Sequence, residues 1–256
     1  MTSEPVADRN MDKADNVTVL CMKWGAKYGP EYVNRLYGMA MRHISRPTRV
    51  VCLTDNPKGI RSEVACHPLP ELPLLDNSIE RGWCKIGAFA PEVAELLDET
   101  VLYLDLDIVI VDSLDPLFDQ PGSFLIIHDW YHKLARIGNS SVFRFHPRRS
   151  TEVFTQYCRD FERISKKHRN EQEYLTTYMA DAGALGFWPR GWCVSFRRDC
   201  VPWWPWRLWQ TTRKPEGSRI LVFHGDPKPP DVLAEVPAGE RAPYYAAPWL
   251  AEYWRE

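Results

Sequence analysis

The run Val101-Leu102-Tyr103-Leu104-Asp105-Leu106-Asp107-Ile108-Val109-Ile110-Val111 constrains this chain more than any other stretch. It reads as an apolar, buried strand interrupted by two aspartates two residues apart. Removing a carboxylate from water is costly unless a counter-charge meets it. Two carboxylates this close also repel each other. A divalent cation is the obvious compensator, because hard cations take oxygen ligands. A solvated pair at a strand end is the bland alternative, and the apolar flanks on both sides count against it.

The segments around this run set its context. Val17 to Met22 reads as a buried strand, and a helix opens at Pro30. Along that helix Tyr32, Val33, Leu36, Tyr37, Ala40, Met41 and Ile44 recur at helical spacing. Arg49 to Thr54 reads as the next strand. Strand, helix, strand implies a crossover and a parallel sheet. A helix is expected from Trp83 to Leu97, interrupted at Pro91. Further strands are expected at 124–128, 141–145, 192–196 and 220–223, and helices at 149–165 and 170–180. The class is therefore α/β, one Rossmann-like domain with a central mixed, mostly parallel sheet flanked by helices. The aspartates fall near the carboxyl end of a strand, where such sheets bind ligands.

Composition excludes several classes. The chain has 256 residues and a formal charge of −2, so no global basic field draws it to nucleic acid. No apolar run is long enough to span a bilayer. Residues 1–16 are polar and lack a basic-then-apolar leader, which gives a frayed tail and a cytoplasmic location as expectations. Seven cysteines without CxxC spacing read as buried thiols, with neither a disulfide frame nor a zinc site. Trp203, Trp204, Trp206 and Trp209 suit a sugar-stacking platform, but packing is the expectation for large aromatics. Trp249, Tyr253 and Trp254 beside Arg255 are the candidates for peripheral membrane contact.

A second chemical signal is Phe223-His224-Gly225-Asp226-Pro227-Lys228-Pro229, which follows another strand-like run. Alone it reads as a surface turn. A histidine can complete a metal site begun by two carboxylates. A lysine four residues on can neutralise a phosphate, and glycine permits close backbone approach. With the aspartate pair, the segment makes a nucleotide-diphosphate site.

Taken together, these stretches resemble the glycogenin-like retaining glycosyltransferases, family 8 and its relatives, which have the GT-A fold. Tyr103 to Phe118 is similar to that family's DxD region. His224-Gly225 and Lys228-Pro229 are similar to its C-terminal HGxxKPW pattern, Asn139 to Phe143 to its Asn-Ser-Gly-Val-Phe strand, and Asn170 to Leu175 to its Asp-Gln-x-x-Leu motif. Lys85 sits where the family has a basic residue near the sugar nucleotide. Ser141, Glu171 and Pro230 depart from the usual glycine, aspartate and tryptophan, which leaves the donor sugar open.

The resemblance implies one domain over 17–235, with a nucleotide-binding half at 17–112, an acceptor-side half at 113–235 and a C-terminal tail at 236–256. Asp105, Asp107 and His224 would hold Mn²⁺ or Mg²⁺ on the diphosphate of a nucleotide sugar, a UDP-sugar by expectation. Lys228 and the Gly225 backbone would assist, and Lys23, Trp24 and Tyr28 would receive the base. Lys85, Asn139, Glu171 and Gln172 would surround the sugar. Lys85 reads equally as a solvated helix residue, and Gln172 equally as a packing residue. The catalytic set is then Asp105, Asp107, Glu171, Gln172 and Lys228, acting with retention on an unidentified saccharide or glycolipid acceptor. Two rival readings stand beside this one. The first is a non-catalytic nucleotide-sugar or carbohydrate-binding protein. The second is a haloacid-dehalogenase-type phosphatase, with Asp105 as nucleophile and Asp107 as acid; the apolar Ile108 to Val111 and the complete strand-helix-strand unit upstream disfavour it.

Overall fold

The computed structural model describes residues 16–74, 82–97, 100–131, 136–233, 243 and 245–256. The tail expected over 1–16 lies outside the described residues except for Asn16, and the proposed C-terminal tail is described only at 243 and 245–256.

β1 (Val17–Lys23) is buried along its whole length and leads into α1 (Pro30–His43). β2 (Thr48–Thr54) then pairs parallel with β1, as the apolar runs and the intervening helix require. β3 (Ala65–His67) extends the sheet parallel to β2. The expected 83–97 helix does break at Pro91. Its first part, Trp83–Phe89, is a 3₁₀ helix, and α2 covers Pro91–Leu96.

β4 (Val101–Leu104) pairs parallel with the other edge of β1. Here the structure corrects a sequence expectation. The apolar run does not continue as one strand through the aspartates. Asp105-Leu106-Asp107 forms a corner, and β5 (Ile108–Ile110) belongs to a different sheet. One continuous strand would keep neighbouring carboxylates inside a ladder; a change of sheet puts them at a junction, where side chains from several elements converge.

The remaining elements are α3 (Asp115–Asp119), β6 (Phe124–His128), β7 (Gly138–Phe145), α4 (Thr151–Arg159), α5 (Phe161–Lys167), α6 (Glu171–Asp181), β8 (Leu185–Phe187), β9 (Cys193–Ser195), β10 (Ile220–Val222) and α7 (Pro229–Leu233). The helix expected over 149–165 is divided at Asp160, a residue type that suits helix ends better than interiors. The main sheet has seven strands in the order β3-β2-β1-β4-β7-β6-β8, antiparallel only at β4–β7 and β6–β7. A second sheet, β5-β10-β9, was not anticipated. Its antiparallel β5–β10 pair carries the chain from Val222 back toward the aspartate corner, where Phe223 N–H donates to the Asp107 carbonyl at 3.1 Å.

Both faces of the main sheet are covered. One packs against α1, the second sheet and the C-terminal segment, and the other against the 3₁₀ helix, α4 and α6. Beneath the aspartates Tyr103 stacks on Phe143 with centroids 4.5 Å apart. The aromatic C-terminus belongs to the first of these layers, against the membrane-contact expectation. Trp254 is buried and lies edge-on to Tyr32, and Trp249 donates its indole N–H to the Thr212 carbonyl at 3.2 Å. A side chain at Gly38 would collide with the Glu256 backbone, so α1 needs glycine there. All seven cysteines are free thiols.

Arg144 locks β7 in place. Its buried guanidinium donates to the carbonyls of Leu117 and Phe118 at 2.8 Å each and to Gly122 at 2.6 Å. Arg144→Leu leaves these carbonyls without their donor and is expected to cost about 2–4 kcal/mol. A lower urea midpoint with an unchanged slope is the expected result; an unchanged midpoint would show that the bonds contribute nothing.

Candidate active site

The site forms where β1, β4 and the segment after β10 end together. Asp105 is the first residue beyond β4, held there because its N–H donates to the Ser141 carbonyl of β7 at 2.9 Å. Asp107 lies beyond the corner. Their side chains are 17% and 14% exposed. Burial at this level requires counter-charge, and each aspartate has a lysine.

Asp105 takes Lys85. The Lys85 ammonium donates to Asp105 Oδ2 at 2.7 Å and lies 3.8 Å from Glu171 Oε1. Glu171 is buried at the start of α6, whose Asn170 cap accepts the Glu173 N–H at 3.1 Å. Ser140 Oγ closes the cluster, donating to Glu171 Oε1 at 2.6 Å and standing 3.3 Å from Lys85 Nζ. Two carboxylates thus share one ammonium. Burial raises the Glu171 and Asp105 carboxyls, with Lys85 working against it in both cases. Burial alone would lower Lys85, but Asp105 and Glu171 outweigh it and hold the lysine above its ordinary value. Lys85 is therefore a buried, paired cation and not a solvated helix residue.

Asp107 takes Lys228. Lys228 Nζ donates to Asp107 Oδ2 at 2.6 Å and to the Phe223 carbonyl at 3.1 Å. Tyr28 donates its hydroxyl to the same carboxylate oxygen at 2.7 Å, and burial followed by the Asp107 charge raises the phenol well above its usual range. Residues 28, 107 and 228, far apart in sequence, are thereby joined. Gly225 adopts φ +72° with open space around its α-carbon, so the turn needs glycine for its conformation and not for clearance.

The aspartates open onto a pocket of about 590 Å³. Trp24, Lys27, Tyr28, Gly82 and Lys85 line it with the two aspartates. An adjoining cavity of about 510 Å³ shares Trp24 and Gly25 and includes Asp55 and Leu69. Asp55 fastens the intervening loop by accepting the Gly25 N–H at 2.8 Å.

Gln172 Oε1 accepts the Ser140 N–H at 3.4 Å, and Asn139 Oδ1 accepts the Ser141 N–H at 3.1 Å, so both brace the β7 strand beside Glu171. Lys23 is buried opposite Thr54 at the end of β1 and does not line the pocket; Lys27 does. Ser140, Gly82 and Asp55 went unassigned in the sequence. Ser140 was within reach, because it is the middle residue of the Asn139-Ser140-Ser141 stretch.

The expected metal triad is not gathered. Among the described residues no three His, Cys, Asp or Glu side chains are placed to share one ion. His224 Nε2 lies 2.6 Å from Ser195 Oγ, and its ring stacks on Trp130 at 5.1 Å. Burial, then the Arg197 charge, keeps that imidazole below its ordinary pKa, hence neutral near pH 7. Asp105 and Asp107 do supply the hard oxygen donors that a divalent cation takes, and in that respect they fit one.

This architecture matches solved structures. The galactosyltransferase LgtC, in complex with donor and acceptor sugar analogs, superposes with a TM-score of 0.55 at 12% identity over 83% of this chain and 89% of its own. An active-site mutant of LgtC superposes at 0.59, again at 12% identity, over 92% and 95%. The fold is that of a GT-A glycosyltransferase. No protein-family profile matches the sequence, and no curated protein matches it. This likeness bears out the α/β, GT-A expectation.

The Glu171 carboxyl titrates higher in the folded protein than in the unfolded chain. A carboxyl of this kind contributes stability below its unfolded-state pKa and loses it as pH rises through the folded value. Glu171→Gln is therefore expected to gain stability relative to wild type between about pH 4 and pH 7.5. Chemical denaturation at both pH values checks this; a difference that does not change with pH would contradict it.

Proposed function

We propose that the protein transfers a sugar from a nucleotide-sugar donor, with a UDP-sugar as the expected donor, to a saccharide or glycolipid acceptor, with retention at the transferred carbon. The observation that carries this reading is the paired arrangement Lys85–Asp105 and Lys228–Asp107, with Lys85 and both aspartates lining the pocket. The likeness in fold to a galactosyltransferase supports it.

Each residue has a role in this reading. The base lies in the cleft by Trp24 and Tyr28, and the diphosphate lies across the aspartate corner. Lys228, whose ammonium bonds the Phe223 carbonyl and lies 5.8 Å from the Tyr28 ring centre, moves that ammonium from Asp107 to the leaving phosphate as negative charge develops there. Asp105 and Asp107 would hold Mn²⁺ or Mg²⁺, which when bound supplies Lewis-acid stabilisation of the diphosphate. Lys85 keeps Asp105 and Glu171 in position beside the sugar. With Glu171 bonded to Ser140 and close to Lys85, front-face departure and attack within an ion pair is the expected route, and Glu171 is the side chain nearest to a nucleophile's role.

Nucleotide binding provides the first test. Saturating UDP and Mn²⁺ at about a hundred times the dissociation constant should add roughly 2.7 kcal/mol to stability. Asp107→Asn and Lys228→Met should each remove most of the corresponding rise in melting temperature. A UDP shift indifferent to the metal and to both substitutions would overturn the assignment. Slow hydrolysis of one nucleotide sugar from a panel, absent in Asp107→Asn, separates an enzyme from a binding protein.

A further inference from the structure

The most exposed apolar surface lies away from this pocket. Trp203, Trp204, Trp206 and Trp209 are 79%, 54%, 57% and 73% exposed. They are four of the six exposed large hydrophobic residues among the described residues, and they occupy a seven-residue stretch. The expectation that they pack into the protein is therefore wrong. Their exposure does not come from a loose end. Arg213 N–H donates to the Cys200 carbonyl at 3.1 Å and closes the base of the loop, and Thr212 Oγ1 anchors it to the Ala246 carbonyl at 2.6 Å. Backbone bonds from Arg207 N–H to Trp203 and from Trp209 N–H to Trp206, at 3.2 and 3.0 Å, give the tip its own turn structure. The result is a closed surface loop that presents indoles outward.

Charge distinguishes what would cover it. From Arg190 to Arg219 the chain carries seven Lys and Arg against two Asp and Glu, although the formal charge of the whole is −2. Arg190, Arg197, Arg198, Arg213 and Lys214 are exposed. Indole is the side chain best suited to the boundary between lipid headgroups and acyl chains, and flanking cations attract anionic headgroups. A neutral glycan would use the aromatic faces but would gain nothing from this basic excess.

We infer that the Trp203–Trp209 loop docks the protein on an anionic lipid surface. The indoles enter the interface, and Arg213 and Lys214 at the root of the loop meet the headgroups. The attachment is peripheral, since no helix among the described residues is long and apolar enough to cross a membrane. Near the root of the loop, Ser195 contacts His224 and Arg198 donates to the Trp130 carbonyl, which ties the loop's base to the segment after β10 and to the residues after β6. The inference stands whether or not the site transfers sugar.

Flotation of the full chain with lipid vesicles tests it. The protein should float with vesicles containing about one-third anionic lipid, not with zwitterionic vesicles, and salt should release it. Lipids brominated near the headgroup should quench its tryptophan fluorescence. W203S/W206S/W209S should abolish flotation and quenching, with the melting temperature retained. R213Q/K214Q should weaken anionic-vesicle binding about thirtyfold. Failure of the wild type to float with anionic vesicles would overturn the inference. So would flotation of both variants at wild-type affinity, or protection of the indoles from iodide by soluble oligosaccharide but not by vesicles.

Discussion

Two carboxylates at the end of an apolar strand must be neutralised, and most of the site follows from that requirement. β4 is buried on both faces, so Asp105 leaves it into a setting with little water. The protein answers with two lysines from opposite ends of the sequence. Lys85 comes from the 3₁₀ helix preceding β4, and Lys228 from the turn beyond β10. For Lys228 to arrive there, β10 must pair with β5, which requires the chain to change sheets at the aspartates. The second sheet is thus the means by which the last third of the chain reaches the corner.

Pairing of this kind is better suited to ligand exchange than to stability. Buried ion pairs seldom repay their desolvation, and hydrophobic substitutes often hold a fold equally well. The Asp105–Lys85–Glu171 cluster carries an extra carboxylate, and burial raises both of its acids. Under the proposed function, this excess of carboxylate is what a divalent cation would offset. At Asp107 the lysine and tyrosine share one carboxylate oxygen; in the proposed function, a diphosphate takes Lys228 while Tyr28 still holds the aspartate.

The sequence made visible whatever depends on contrast between apolar and polar residues. β1, α1 and β2 are legible because their periodicities differ, and Asp105 and Asp107 because charge interrupts a run of valine, leucine and isoleucine. The change of sheet is hidden for the same reason: both halves of the run are apolar, and only pairing partners distinguish β4 from β5. The burial of Lys23 is not legible either, because a strand-end lysine gives no local sign of its surroundings. Trp203–Trp209 and Trp249–Trp254 look alike in composition, yet the first group is exposed and the second packs on α1. Long-range packing decides that, and no pattern within either segment records it.

The direct measurement is a crystal structure with UDP and Mn²⁺ bound. The account predicts the diphosphate at the Asp105–Asp107 corner, the base between Trp24 and Tyr28, and the Lys228 ammonium on a phosphate oxygen in place of Asp107 Oδ2. A nucleotide bound elsewhere, or one bound with the Lys228–Asp107 pair still closed, would contradict it.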